Sequence, residues 1–276
     1  MKNCRYLAAF AVLTLTAVIG IEAAELKPRT VEAFDRYVSL TLARMQTEID
    51  GRSAFLWVDR QPEDVRPEIL RRLQQGEVVI EKLETRDGDD QIKIPSGMVH
   101  HWVGTVLIPN VPLDRAIALV QDYDRYAELY APQVTESRVL ERDGDRFKVF
   151  ARLFEKKVLT AVLNTEYNVE YQFLDETRVW VPSYTTRIQE VKDPDTPEER
   201  EQPEGNDRGF LWRFNNYCSF EERAGDTYMQ CESISLSRGI PFLLNVFIKP
   251  FVASIPKDKL TFTLSAARMH LTDGPT

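Results

Sequence analysis

The chain reads as an α+β protein in which a long antiparallel meander lies between helical segments. Three observations predict this. Leu113, Ala116, Ile117 and Val120 recur at i, i+3, i+4 and i+7, and Tyr123, Tyr126, Ala127 and Tyr130 repeat the pattern. Two short amphipathic helices therefore follow one another, broken near Asp122 and ended by Pro132. Strand-like alternation then fills most of 134–190 and 209–238, with Asp143-Gly144 as a strong hairpin signal. Finally, Leu260, Leu264, Ala267 and Leu271 share one face of a closing helix over about 257–271.

Taken in order, the N-terminus carries Lys2 and Arg5, an apolar run from Leu7 to Ile21, then Glu22-Ala23-Ala24. A basic start, a short apolar run and small residues at its end describe a secretory signal peptide over 1–24. The run is shorter than the ~20 residues a spanning helix needs, and Glu22 stands where the cleavage site prefers a small residue. Retention as an anchor stays open. The expected location is exported, either periplasmic or secreted.

Residues 25–95 read as an N-terminal helical extension. Val31, Phe34, Val38, Leu42, Met45 and Ile49 form one stripe of a helix over 30–49, ended by Asp50-Gly51. A second helix follows Pro67 and stops at Gly76. A strand from Glu77 to Thr85 then leads into the loop Asp87-Gly88-Asp89-Asp90. Met98 to Ile108 is the first strand of the main domain. After the helix pair, strands are expected at about 134–141, 146–154, 158–173 and 177–190. In the third of these, Leu159, Ala161, Leu163, Tyr167, Val169, Tyr171 and Phe173 share one face, while Asn164, Glu166, Asn168 and Glu170 share the other. That alternation describes a sheet with one buried and one wet face. Residues 193–208 hold three prolines and seven acids without a hydrophobic side chain, which is the composition of a solvated loop.

Two short helices between a first strand and a long meander make the chain resemble the START / polyketide-cyclase-like superfamily (SRPBCC, helix-grip). The resemblance covers about 96–276. It implies a curved antiparallel sheet wrapped around a long C-terminal helix, with the N-terminal extension outside the pattern. It also implies an internal cavity between sheet and helix, but it names no ligand and no cofactor.

Without residues 1–24 the chain keeps 33 basic and 42 acidic residues, a net charge of −9. A surface that acidic argues against nucleic acid, whose binding depends on neutralising phosphates, and against simple docking on anionic lipid. The most apolar later segment, Ile240 to Ile255, is interrupted by Pro241, Asn245, Lys249 and Pro250, which does not suit a spanning helix. A lid, a surface in transient membrane contact, and plain burial are its three readings. Burial is preferred, and by resemblance it is the candidate gate.

Motifs for catalysis are thin: there is no Gly-x-Ser-x-Gly, no His-Glu-x-x-His, no phosphate-cradling glycine loop and no Cys-x-x-Cys. Of the three histidines, His100 and His101 are adjacent on a strand and point to opposite faces, so they do not share a metal. No metal and no catalytic residue is assigned. If Ala224-Gly225 is a two-residue hairpin loop, Cys218 falls opposite Cys231 at a site where Cα atoms approach to ~4.5 Å. An exported protein would then favour a disulfide there. Two buried thiols are the alternative.

Phe210, Trp212, Phe214, Cys218 and Phe220 are expected on the inward face of strand 209–222, joined by Met229 and Cys231 from its partner. This face is either plain core or one wall of an apolar pocket. Tyr167 and Tyr171 would add hydroxyls to it, and Phe247 would join from the gate. On the opposite face Tyr217 lies across from Glu232, with Arg213 and Arg238 further along, and these are expected as an outer-surface ladder. The leading function is therefore non-catalytic binding of a hydrophobic small molecule or lipid by Tyr167, Tyr171, Phe210, Trp212, Phe214 and Phe247. A cyclase- or dehydratase-like enzyme drawing on Glu232, His101 or Tyr167 is one alternative. An envelope interaction protein is another.

Overall fold

The computed structural model describes residues 24–156, 160–239 and 245–272, with side chains in the closing helix described from Ser254 onward. The apolar run at the N-terminus lies outside the described residues. Eight strands form the main path of one antiparallel sheet: β1 (Val79–Lys82), β2 (Gly97–Ile108), β3 (Val134–Asp143), β4 (Arg146–Lys156), β5 (Thr160–Glu170), β6 (Arg178–Lys192), β7 (Arg213–Arg223) and β8 (Asp226–Arg238). Their spatial order is β1-β2-β8-β7-β6-β5-β4-β3, and two further two-residue strands pair with β6. β3 through β6 each pair with the next in sequence, so they form a meander. The pairing of β2 with β8 is the long-range closure.

The hairpin loops fall where turn chemistry places them. Gly144 and Gly225 both take positive φ, and Ala224 joins Gly225 there, the signature of a tight two-residue connection. That loop sets the register of β7 and β8, so Cys218 stands opposite Cys231, in a disulfide, and Tyr217 opposite Glu232.

Among the described residues five α-helices accompany the sheet: α1 (Pro28–Ile49), α2 (Arg66–Gln74), α3 (Leu113–Gln121), α4 (Tyr126–Leu129) and α5 (Asn245–Thr272). The sheet is curved and its inner face is crossed by α5. Leu260, Leu264, Ala267 and Leu271 pack there on Val106, Cys218, Phe220, Met229 and Cys231. Gly104 is where the helix comes closest: a Cβ at that position would stand 2.6 Å from Leu264 Cδ1 and 3.1 Å from Leu260 Cδ2. The closing helix begins about one dozen residues earlier than the apolar periodicity indicates, and continues through Pro250 and Pro256 although each removes a backbone donor. Among the described residues no helix is long and apolar enough to cross a membrane.

The outer face divides. Over β3 to β5 it is wet as expected, with Asn168 exposed and Arg146 paired to Glu170 at the surface, but over β8 and its neighbours it is covered. Phe34, Tyr37, Val38 and Met45 of α1, with Phe55 to Val58, Ile69 and Leu73, cover Trp180, Tyr217, Ile234 and Leu236 in a second core. Glu232 and Tyr217, expected on an exposed ladder, are each 2% exposed. The buried stripe of α1 is also rotated from the purely apolar one. Thr30, Tyr37, Thr41 and Glu48 are buried, whereas Val31, Leu42 and Ile49 are only half-buried. Polar contacts explain the rotation. Tyr37 Oη accepts a bond from the Thr85 amide (2.8 Å) and donates to His101 Nδ1 (2.9 Å). His101 Nε2 then donates to Glu232 Oε1 (2.6 Å), which also takes the Arg44 guanidinium. Arg44 and Arg60 share Glu48 at 2.6 and 2.7 Å.

Burial alone would raise the Glu232 carboxyl, but the His101 hydrogen bond and the Arg44 charge outweigh it and hold the group below its usual range. A buried carboxylate so compensated is costly to break, because removing it strands the partners. Glu232→Gln is therefore expected to lower stability by about 2 kcal/mol at neutral pH, toward the low end because Arg44 keeps contact with solvent. An acid with a depressed native value stabilises above its unfolded value and loses that contribution as the pH falls through the native one. In urea titrations the gap between native chain and variant should hold at neutral pH and close below the ordinary glutamate range. A constant gap down to strong acid would show that the carboxylate charge is not what holds α1 to the sheet.

Candidate functional site

The two faces of the sheet offer two clusters with polar chemistry. The outer one is the Tyr37–His101–Glu232–Arg44 chain just described. Glu48, Tyr217, Ser219, Gln230 and Glu232 border a cavity there of about 10 Å³, room for about one water and no organic substrate. Gln230 is already held, accepting the Trp57 amide at 2.6 Å. This cluster joins the extension to the sheet. It leaves no space for a reacting molecule beside Glu232 or His101.

The inner face is different in kind. The register of β2, β8, β7 and β6 sets cross-strand rows on the side that α5 crosses. One row is Val106, Met229, Phe220 and Val179, and the next is Gly104, Cys231, Cys218 and Val181. Leu260 and Leu264 fill the space above them. The following row changes character to Trp102, Ser233, Asn216 and Ser183, and beyond it stand His100, Ser235 and Phe214. Strand β8 shows the switch clearly: its inward residues run Met229, Cys231, Ser233, Ser235, Ser237, while Glu232, Ile234 and Leu236 face α1. Large apolar side chains give way to small hydroxyls and other hydrogen-bonding groups toward the N-terminal half of α5.

Several of these groups bond to one another. Ser233 Oγ donates to Asn216 Oδ1 (3.2 Å), and His100 Nε2 meets Ser237 Oγ (3.0 Å). Thr185 Oγ1 donates to the Phe214 carbonyl (2.8 Å). Trp102 Nε1 is buried and has no partner among the described residues. Burial, helped by the charge of Lys82, pushes His100 down to about 4, so it is a neutral imidazole at physiological pH.

The residues expected to bind a ligand divide. Tyr167 stands on the inner face opposite Thr185. Burial raises its phenol far above the usual value, yet the residue is only half-buried. Phe214 is half-buried on the same face, opposite Ser235. Tyr171 is also inside, but its hydroxyl donates to the Val120 carbonyl (2.9 Å) and accepts from Tyr123 (2.7 Å), so it pins the end of α3. Tyr126 donates to the same carbonyl at 2.7 Å.

Trp212 belongs to the outer core, against the expectation that it lines the face of Cys218 and Phe220. The regular ladder starts only at Arg213, so the two-residue alternation does not reach back to it. Its indole donates to Asp207 Oδ1 at 3.1 Å instead. Phe210, also before the strand, carries the Arg208 guanidinium 4.7 Å above its ring. The side chain of Phe247 lies outside the described residues.

Sequence reasoning set His100 aside as an ordinary histidine and passed over Trp102, Asn216 and the three serines of β8. Their signal was readable: Ile234 and Leu236 share the parity of Glu232, so the face taken as wet carries apolar residues, and the face taken as core carries serines.

No protein-family profile and no curated protein matches the chain. Among solved structures it is similar to an aromatase/cyclase from Streptomyces sp. R1128, at 10% identity and TM-score 0.45, over 63% of this chain and 94% of that one. It is similar also to a STAR-related lipid transfer protein from Xanthomonas axonopodis, at 14% identity and TM-score 0.42, over 69% and 98%. A protein from Thermus thermophilus gives 11% and 0.44, over 65% and 99%. These are distant likenesses of shape, and the functional reading rests on this chain's own residues.

A histidine kept neutral by burial leaves a pH signature. Its native value of about 4 lies below the ordinary 6.5, so the unfolded chain binds the proton first. Stability is complete above the ordinary value and falls as the pH drops through that window, by roughly 3 kcal/mol in all. Proton NMR titration should give His100 an apparent value near 4, and His100→Gln should flatten the acid limb of stability over that window. An imidazole titrating near its ordinary value would place His100 in contact with water and contradict the enclosed inner face.

Proposed function

We propose that the chain is an exported binding protein for a hydrophobic small molecule or lipid, held between the inner face of the sheet and α5. The observation that carries this reading is Tyr167. It is deep enough for burial to dominate its phenol, yet the residue is only half-buried beside Tyr123 and makes no hydrogen bond to a described residue. Trp102 and Phe214, on the same face, are likewise only half-buried. Aromatic surface left partly accessible at the border of the packed rows is what an apolar ligand site requires. The apolar rows beneath Leu260 and Leu264 supply a firm floor for it.

Export rests on the N-terminal run, with its basic start and small-residue end. A bond between Cys218 and Cys231 suits an oxidising compartment.

An acid–base enzyme of the cyclase or dehydratase kind is the second reading, favoured by one observation: His100 is a neutral imidazole on the inner face, near the accessible aromatics. Two of the residues it would have drawn on, Glu232 and His101, stand on the other face beneath α1. The enzyme reading therefore retains His100 and Tyr167 alone.

Native mass spectrometry of the chain produced in an exporting host, followed by solvent extraction, tests the carrier reading. A stoichiometric additional mass that extracts as an apolar molecule is the expected result. A bare protein that also takes up no lipid and no fluorescent apolar probe would overturn it and favour a role as an interaction protein of the envelope.

A further inference from the structure

The inner face is not uniformly apolar, and the pattern of its polar groups bears on what it would hold. This step rests on the reading that a ligand lies between sheet and α5. In the rows beyond Gly104 the described side chains are tryptophan, serine, asparagine, histidine, phenylalanine and threonine. None carries a charge, since His100 is neutral. Arg213 and Arg238 belong to the opposite parity of the same strands. Some of these groups satisfy each other, but others have bonding capacity to spare. Trp102 Nε1 is a buried donor without a partner among the described residues. The hydroxyls of Ser183, Ser235 and Tyr167 make no hydrogen bond to a described residue. A buried donor left alone costs free energy, and a bound acceptor oxygen removes that cost.

We infer that the strip of Trp102, Tyr167, Ser183, Asn216, Ser233 and Ser235 recognises an uncharged, oxygen-bearing end of an otherwise apolar ligand: a hydroxyl, carbonyl or ester. Ser183, Ser235 and the indole donate to its oxygen, and the Asn216 amide, already tied to Ser233, orients the row. The apolar part of the ligand runs toward the aromatics and the floor under Leu260. An ionised head group is disfavoured at this place, because a carboxylate or phosphate taken out of water needs a counter-charge. The Lys257 ammonium, 5.9 Å from the Trp102 ring centroid, is exposed and stands at the margin of the strip. A fatty-acid anion is accordingly the most demanding competitor.

The test uses the delipidated full chain and three probes that share one long alkenyl chain: a monoacylglycerol, the corresponding fatty-acid anion, and the plain alkene. Binding is read by native mass spectrometry across a concentration series. The expected result is that the monoacylglycerol binds at least about tenfold more tightly than either of the others, the scale of one or two well-made hydrogen bonds. Ser235→Ala and Asn216→Leu should each remove most of that advantage while leaving alkene binding unchanged, which also shows that the variants fold. If the anion binds as well as the monoacylglycerol, or if all three bind equally in native chain and variants, head-group recognition is overturned while the carrier reading stands. If no probe binds, the carrier reading falls and this inference falls with it.

Discussion

A carboxylate without water needs a counter-charge, and in this chain that need joins two parts of the fold. Glu232 is almost fully buried in the middle of β8, and its partners are His101 from β2 and Arg44 from α1. The extension is therefore more than a lid of apolar side chains. Tyr37, Thr41, Arg44 and Glu48 present a polar stripe that matches His101, Thr85, Glu232 and Arg60 group for group. A sliding α1 would lose these pairings together, and each lost pairing would strand a buried polar group. Buried ion pairs add little net stability compared with apolar packing, but they do fix register.

With the outer side of β8 and its neighbours closed in this way, the polar groups these strands leave for a ligand lie on the inner face. There the strands are held by different means. At the α3 end, large side chains and tyrosine hydroxyls bonded to the Val120 carbonyl make a packed region. At the other end the inward residues shrink to serine, Trp102 and Phe214 keep accessible surface, and the half-buried Tyr167 stands edge-on to Tyr123 between the two regions. One sheet thus combines a firm apolar floor with a polar end, and α5 crosses the sheet above them. Adjacent histidines show the division most compactly: His101 serves the junction with α1, while its neighbour His100 faces the serines.

Much of this was legible in the sequence. The helix pair after the first strand, the Asp143-Gly144 hairpin and the opposition of Tyr217 to Glu232 follow from local periodicity and turn chemistry, and they reappear in the structure. What covers each face did not follow, because the partner of β8's outer side lies nearly two hundred residues earlier, in α1. Charge on a strand suggested solvent, and nothing local to Glu232 announced Arg44. The alternation of β7 was also extended too far: Trp212 has the parity of Phe214, but the ladder ends between them and Asp207 holds the indole on the other side. Among the candidate ligand residues, Tyr167 and Phe214 sit on the inner face, Tyr171 is bonded into the fold, and the serine row of β8 was read as ordinary strand.

The measurement that bears most directly on the inner face as a ligand site is a crystal structure of the chain carrying whatever apolar molecule it retains through purification or takes up from the probe series. Density is expected between the sheet and α5, against Trp102 and Tyr167 and within hydrogen-bonding reach of the β8 serines. Density confined to the outer face or the molecular surface, or an inner face whose space is filled by the protein's own side chains, would contradict it.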